Sequence, residues 1–154
     1  MIISDNPAAK GLVYAKQSKI KKYITNFKNK NISEKKLLKK LFNHKINLIC
    51  LAGFMRILSG NFIKTFKNPI LNIHPSLLPK YKGLNTHRRV IKNKEKYSGS
   101  TVHLVSSKLD SGKIILQKKI KVSKYEKENT LEKKILAIEH KLYYKAIKKF
   151  LFSL

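Results

Sequence analysis

The chain has 154 residues, 42% hydrophobic and 28% charged, with one cysteine and a formal net charge of +27. Those values suit one folded domain with its own core. They exclude a disordered polymer, an internal disulfide and a cysteine-built zinc site, and no apolar run approaches the ~20 residues of a membrane-crossing helix. The charge invites a polyanion-binding reading, but the basic residues are spread along the chain, and Arg56, Arg88 and Arg89 are the only arginines able to grip phosphates or bases bidentately; nucleic acid is therefore not the expected partner.

Met1 to Ser4 predicts a short apolar strand, left through the turn Asp5-Asn6-Pro7. Pro7 suits the first turn of a helix over Ala8 to Lys16. Lys19 to Thr25 is a weak strand candidate. Ser33 is placed to cap the next helix, with Leu37, Leu38, Leu41 and Phe42 as its apolar stripe. Ile46 to Ala52 is almost continuously apolar, as in a parallel strand covered on both faces, and Cys50 within it reads as a small core residue. Ser59 predicts the cap of a short helix through Phe66. Pro69 to His74 predicts a strand ending at Pro75, followed by the loop PSLLPKYKGLN. A helix is expected from about Thr86, a strand over Ser100 to Val105, a turn at Leu109 to Gly112 and a strand over Ile114 to Val122. Asn129-x-x-Glu132 resembles a capping box for a last helix to about Phe150, its core stripe being Leu131, Ile135, Ile138, Leu142 and Ile147.

This alternation predicts an α/β fold with a mostly parallel sheet and helices on both faces, in a single domain over residues 1–154. Ligands of such sheets sit outside the carboxyl ends of the strands, here just after Ala52, Ile73 and Val105. Asn72 and His74 stand two apart at a strand end, so their side chains share one face. An amide there can donate to a developing oxyanion, and an imidazole can handle a proton. Asp110 is a candidate carboxylate partner for His74. On spacing alone these facts are weak: a lone His at a strand end is more often a structural residue, and Asn-x-His by itself has no specificity.

Three blocks carry more information: LAGFMRILS (Leu51 to Ser59), LNIHPSLLPKYKGLNTHR (Leu71 to Arg88) and GSTVHLVSSKLDSGKIILQ (Gly99 to Gln117). In this order they resemble the signatures of the formyltransferase superfamily that uses 10-formyltetrahydrofolate. GLNTHRRV resembles its phosphoribosylglycinamide formyltransferase branch. The resemblance implies a Rossmann-like fold, a cytoplasmic enzyme of de novo purine (IMP) biosynthesis and two small-molecule substrates, glycinamide ribonucleotide and the folate. It implies no metal and no membrane partner. Asn72, His74 and Asp110 map onto the family's catalytic trio. Met55, Arg56, Ile57, Leu58, His103, Asn72 and Asp110 map onto its folate side, and Pro75 and Glu139 onto its ribonucleotide side. For Met55, Ile57 and Leu58 ordinary packing is the competing reading, and His103 stands between a structural and a site-lining role. His44, His87 and His140 receive no catalytic role.

The resemblance also implies differences. Family members open with an apolar strand, a Gly-rich Ser-Asn phosphate loop and a helix, whereas Met1 to Asp5 resembles the family's second strand. The expectation is therefore an N-terminally incomplete fold lacking the first strand, phosphate loop and first helix. Leu136 stands where the family often has Gln. Two further readings stay open: a related folate enzyme (a deformylase, or a tRNA or sugar formyltransferase), or an inactive basic remnant that binds polyanions.

Overall fold

The computed structural model describes residues Met1–Ser153, and the chain divides into two compact units. The first comprises Met1–Ile46 with Lys64–Phe66. In it β1 (Ile2–Ser4) and β2 (Lys22–Ile24) pair in parallel, joined through α1 (Gly11–Gln17), and α2 (Lys30–Asn43) follows. Leu12 and Ala15 bury one side of α1, and Leu38 and Leu41 that of α2. Phe42, expected in the same stripe, is 47% exposed and stacks tilted against Phe66.

Two helix starts differ from expectation. Asn6 accepts the Ala8 and Ala9 amides through its side chain and carbonyl, so Pro7 belongs to a separate turn and α1 begins only at Gly11. In α2 the cap is Asn29, whose Oδ1 accepts the Ile32 amide at 3.1 Å. Ser33 lies inside the first turn, its hydroxyl pointing back at the Asn26 and Asn29 carbonyls. Both residues are good caps, and the earlier one, in extended backbone, captures the free N–H.

The second unit comprises Asn47–Ile63 and the chain from Lys67 onward. Its sheet has the order β3 (Ile49–Leu51), β4 (Ile70–His74), β5 (Tyr97–Leu104), β6 (Ile114–Lys121). The α/β architecture is as read from the sequence. The pairing is mixed: β3 and β4 run parallel, while β4–β5 and β5–β6 are antiparallel. The helix α3 (Gly60–Phe66) is capped by Ser59, whose Oγ accepts the Phe62 amide. The strand expected over Ile46 to Ala52 shrinks to three residues, and Cys50 is exposed where a core residue was expected. An apolar run marks a strand, but it does not say whether another element covers each of its faces.

The remaining helices, α4 (Thr86–Lys92) and α5 (Glu128–Leu151), pack together, and α5 lies across β5 and β6. Leu131 and Ile135 of α5 meet Val90 and Val122, and further along Leu142 and Ala146 meet Val102. Each fully buried aliphatic side chain of this kind stabilises the fold by roughly 1.5–3 kcal/mol. The capping box expected at Asn129 does not form. Lys127 is the cap residue, without a side-chain bond, and the Asn129 Oδ1 takes only the Thr130 hydroxyl, at 3.4 Å. The stripe itself suffices to hold α5, because packing outweighs a cap worth about 1 kcal/mol.

Candidate active site

The register between β4 and β5 sets Asn72 opposite His103 and His74 opposite Thr101. Alternation along each strand then brings all four side chains to one face. Thr101 anchors the loop leaving β4. Its hydroxyl donates to the Ser76 carbonyl at 2.6 Å and accepts the Leu78 amide at 3.1 Å. Ser76 in turn donates to the Lys80 carbonyl at 2.6 Å. The loop bends back so that the Tyr81 carbonyl meets His74 Nε2 at 2.9 Å. A carbonyl can only accept, so Nε2 carries hydrogen and Nδ1 is the nitrogen left to face Asp110, whose Oδ2 lies 3.3 Å away.

Asp110 comes from the turn between β5 and β6. It adopts a left-handed backbone, φ 45°, a conformation more accessible to Asp than to most residues. Two contacts hold it there. The Gly83 amide donates to Oδ2 at 2.9 Å, and Lys82 Nζ reaches the Ser111 hydroxyl. Gly112 permits the turn, since a Cβ there would overlap the Leu104 carbonyl. The His74 and Asp110 side chains are each only 8% exposed, so water scarcely screens the interaction between them.

His103 completes the cluster. Its Nδ1 donates to the Leu104 carbonyl at 2.9 Å, which leaves Nε2 to accept from Asn72 Nδ2 at 3.4 Å, with Asp110 Oδ1 3.6 Å away. Burial pushes the His103 ring below its ordinary pKa, against the weaker upward pull of the Leu104 bond and the Asp110 charge. It is thereby held neutral, and that form suits an acceptor for the Asn72 amide.

A cavity of about 540 Å³ opens over these groups. It is lined from the three strand ends picked out by the sequence. Met55, Arg56, Ile57 and Leu58 follow β3; Asn72, His74 and Pro75 close β4; and His103, Val105 and Asp110 lie at and beyond the end of β5. Glu139, assigned with Pro75 to a substrate side, does not line it; it lies behind the strands, bonded to Ser100. Sequence reasoning missed His87, Glu128 and Glu132, which also line the cavity. The His87 Nδ1 is buried without a hydrogen-bond partner, and burial pushes the ring's pKa down against the pull of Glu132 and Glu128. It missed as well the Tyr81 carbonyl and Gly83 amide that orient the His74–Asp110 pair. No side-chain pattern marks these two groups, because backbone atoms act there and the loop's path brings them to their partners.

Comparison with known proteins yields a consistent result. The formyl transferase family matches residues 1–147. The chain is 39% identical over 152 residues to the phosphoribosylglycinamide formyltransferase of Haemophilus influenzae, covering 97% of this chain and 72% of that protein. It is 37% identical over 150 residues to the trifunctional purine biosynthetic protein adenosine-3 of Bos taurus, covering 96% of this chain but only 15% of that far longer protein. The crystal structure of phosphoribosylglycinamide formyltransferase from Anaplasma phagocytophilum superposes with a TM-score of 0.88 at 38% identity, over 95% of this chain and 71% of that one.

Proposed function

This chain belongs to the formyl transferase family, and we propose that it moves the formyl group of 10-formyltetrahydrofolate onto the amine of glycinamide ribonucleotide. The products are formylglycinamide ribonucleotide and tetrahydrofolate, a step of de novo purine biosynthesis. The observation that carries the reading is the buried His74–Asp110 pair, 3.3 Å apart, beside Asn72 under a single cavity. The relatives named for this activity support it.

The cavity suits a flat heterocycle. At about 540 Å³ it has the size usual for small-molecule sites, and Met55, Ile57, Leu58, Val105 and Leu109 give it an apolar wall. The folate, as substrate, supplies the activated formyl group. The chain supplies the polar groups around the transferred carbon. Asn72 Nδ2 donates to the formyl oxygen as negative charge develops there; its bond to His103, long at 3.4 Å, is readily exchanged for that better acceptor. His74, its Nε2–H held by the Tyr81 carbonyl, presents Nδ1 to Asp110 at the same end of the strand. Asp110 orients the ring and, through His74 or a water, receives the proton that the amine loses, to be returned to the departing nitrogen. Pro75 shapes the side on which the ribonucleotide enters. The surplus of positive charge draws a phosphorylated substrate toward the protein.

The test is to supply 10-formyltetrahydrofolate with and without glycinamide ribonucleotide. Folate release that requires the ribonucleotide and yields its formylated product is the expected result. Release indifferent to the ribonucleotide would identify a hydrolase instead.

A further inference from the structure

The carbonyl that fixes the His74 ring belongs to a residue in an uncommon conformation. Tyr81 has left-handed backbone, φ 57°, and its carbonyl accepts from His74 Nε2 at 2.9 Å. Gly83, two residues on, is left-handed as well at φ 76°, but glycine adopts that form freely. A bulky side chain holds it only where the surroundings enforce it. Among the described non-glycine residues of positive φ, Tyr81 is the only aromatic.

The enforcing groups come from α4 and the turn beyond it, and none of them lines the cavity. The Tyr81 hydroxyl donates to Glu95 Oε1 at 2.8 Å and accepts from Asn93 Nδ2 at 2.9 Å. Arg89 lies over the Tyr81 ring, 5.1 Å from its centroid, and donates to the Lys82 carbonyl at 2.7 Å. The ring also packs on the core around Val90 and Leu131. Glu95 has a fixed backbone beneath it. Lys94 is left-handed, φ 49°, its amide donates to the Ile91 carbonyl at 3.0 Å, and the Glu95 amide donates to the Val90 carbonyl at 3.2 Å. That pattern closes the end of α4 and aims the Glu95 side chain back at the loop. Of the bonds to the Tyr81 hydroxyl, the one to Glu95 is charge-assisted and so the stronger. Lys80 meets the same carboxylate at 3.0 Å, but its side chain is 64% exposed, and such an ion pair contributes little.

We propose that Glu95 is a positioning residue for His74: by holding the Tyr81 hydroxyl, it keeps the left-handed turn that aims the Tyr81 carbonyl at the imidazole. The route runs from the Glu95 carboxylate to the Tyr81 hydroxyl, through the Tyr81 residue to its carbonyl, and from there to His74 Nε2. Without the carboxylate the hydroxyl loses its acceptor, the backbone relaxes from the left-handed form, and the ring of His74 loses a restraint. The consequence for turnover rests on the transferase reading above; the restraint on His74 does not.

The experiment compares the intact chain with Glu95→Ala, Tyr81→Phe and the double variant. The His74 Nε2 proton, followed by NMR, should exchange with water about 10-fold faster in either single variant, as the loss of one charge-assisted bond allows. Because Glu95 acts through the hydroxyl, the double variant should be no faster than Tyr81→Phe alone. Two controls separate this from a general loss of stability. Lys80→Ala breaks the ion pair and spares the hydroxyl bond; Glu126→Ala frees Lys134, which Glu126 holds at 2.6 Å elsewhere on the chain. Both should leave the His74 proton unmoved, even where they lower the urea midpoint. If the chain transfers formyl groups, Tyr81→Phe and Glu95→Ala should lower kcat, by up to about 100-fold for a displacement of about 1 Å, while KM holds. Should Glu95→Ala fail to fold, Tyr81→Phe, which removes a single oxygen, carries the same comparison. A His74 proton indifferent to Tyr81→Phe, effects that add in the double variant, or an equal response to Lys80→Ala overturns the proposal. Faster exchange in a chain without transferase activity would sink the proposed function and leave this inference standing; an active enzyme whose His74 proton ignores both variants would do the reverse.

Discussion

The floor and the rim of the cavity are built on opposite principles. On the floor His74 and His103 are 6% and 2% exposed, and each of their ring nitrogens faces a specific oxygen or amide. On the rim Met55 and Ile57 are 78% and 60% exposed and offer apolar area. Charges and dipoles act strongly only where water is excluded and where they are already aimed, so the floor suits bond-making. Apolar contact is non-directional and tolerates shape change, so the rim suits holding a ring system. The difference teaches that substitutions below should cost rate, and substitutions above should cost affinity.

The strongest test of that division is Asn72→Ala. Loss of the donor should lower kcat for formyl transfer roughly 100- to 1,000-fold with little change in KM. Asp110→Ala should be comparable, and a variant whose loss lay wholly in KM would break the comparison. Gly112→Ala addresses the floor indirectly. Its Cβ would meet the Leu104 carbonyl, so the turn must move and carry Asp110 with it. A displacement of about 1 Å is worth about 100-fold in rate, read as kcat with the fold checked by circular dichroism.

Acid should report on the same floor. Burial holds the His103 pKa below its ordinary value of about 6.5. Below that pH the unfolded chain takes up a proton that the folded chain refuses. This contribution to stability is therefore complete above about pH 6.5 and is lost as the pH falls toward the lower folded value. Urea midpoints measured between neutral and mildly acid pH should fall in the intact chain and fall less in His103→Gln. The smallest effect belongs to the rim. Ile57→Ala should raise the KM for the folate by about 10-fold, since roughly 1–1.5 kcal/mol of apolar contact is lost, and should leave kcat nearly unchanged. A fall in kcat there would mean that the rim also aligns the reacting groups.

Legibility followed the same line between pattern and contact. The run ending in Asn72-x-His74 was readable as a strand with both side chains on one face, because alternation is a local rule. The helix stripe at Leu131, Ile135 and Leu142 was readable for the corresponding reason, and all three are buried. Caps were less legible. Ser33 and Asn129 have the right chemistry, but which of several capable residues bonds the first turn depends on where the chain enters the helix. Cys50 shows another limit, since an apolar run names a strand and cannot say whether a neighbour covers it.

By itself the sequence determined the α/β order, the family and the three strand ends that meet at the cavity, because these follow from periodicity and from motifs contiguous along the chain. Only the tertiary structure decided how the site is held. The Gly83 amide reaches Asp110 across 27 residues, the Tyr81 carbonyl turns back on His74, and Glu139 meets Ser100 across 39. Such bonds join backbone or side-chain atoms whose identity any sequence could supply. What selects them is the approach of distant segments, which packing alone creates.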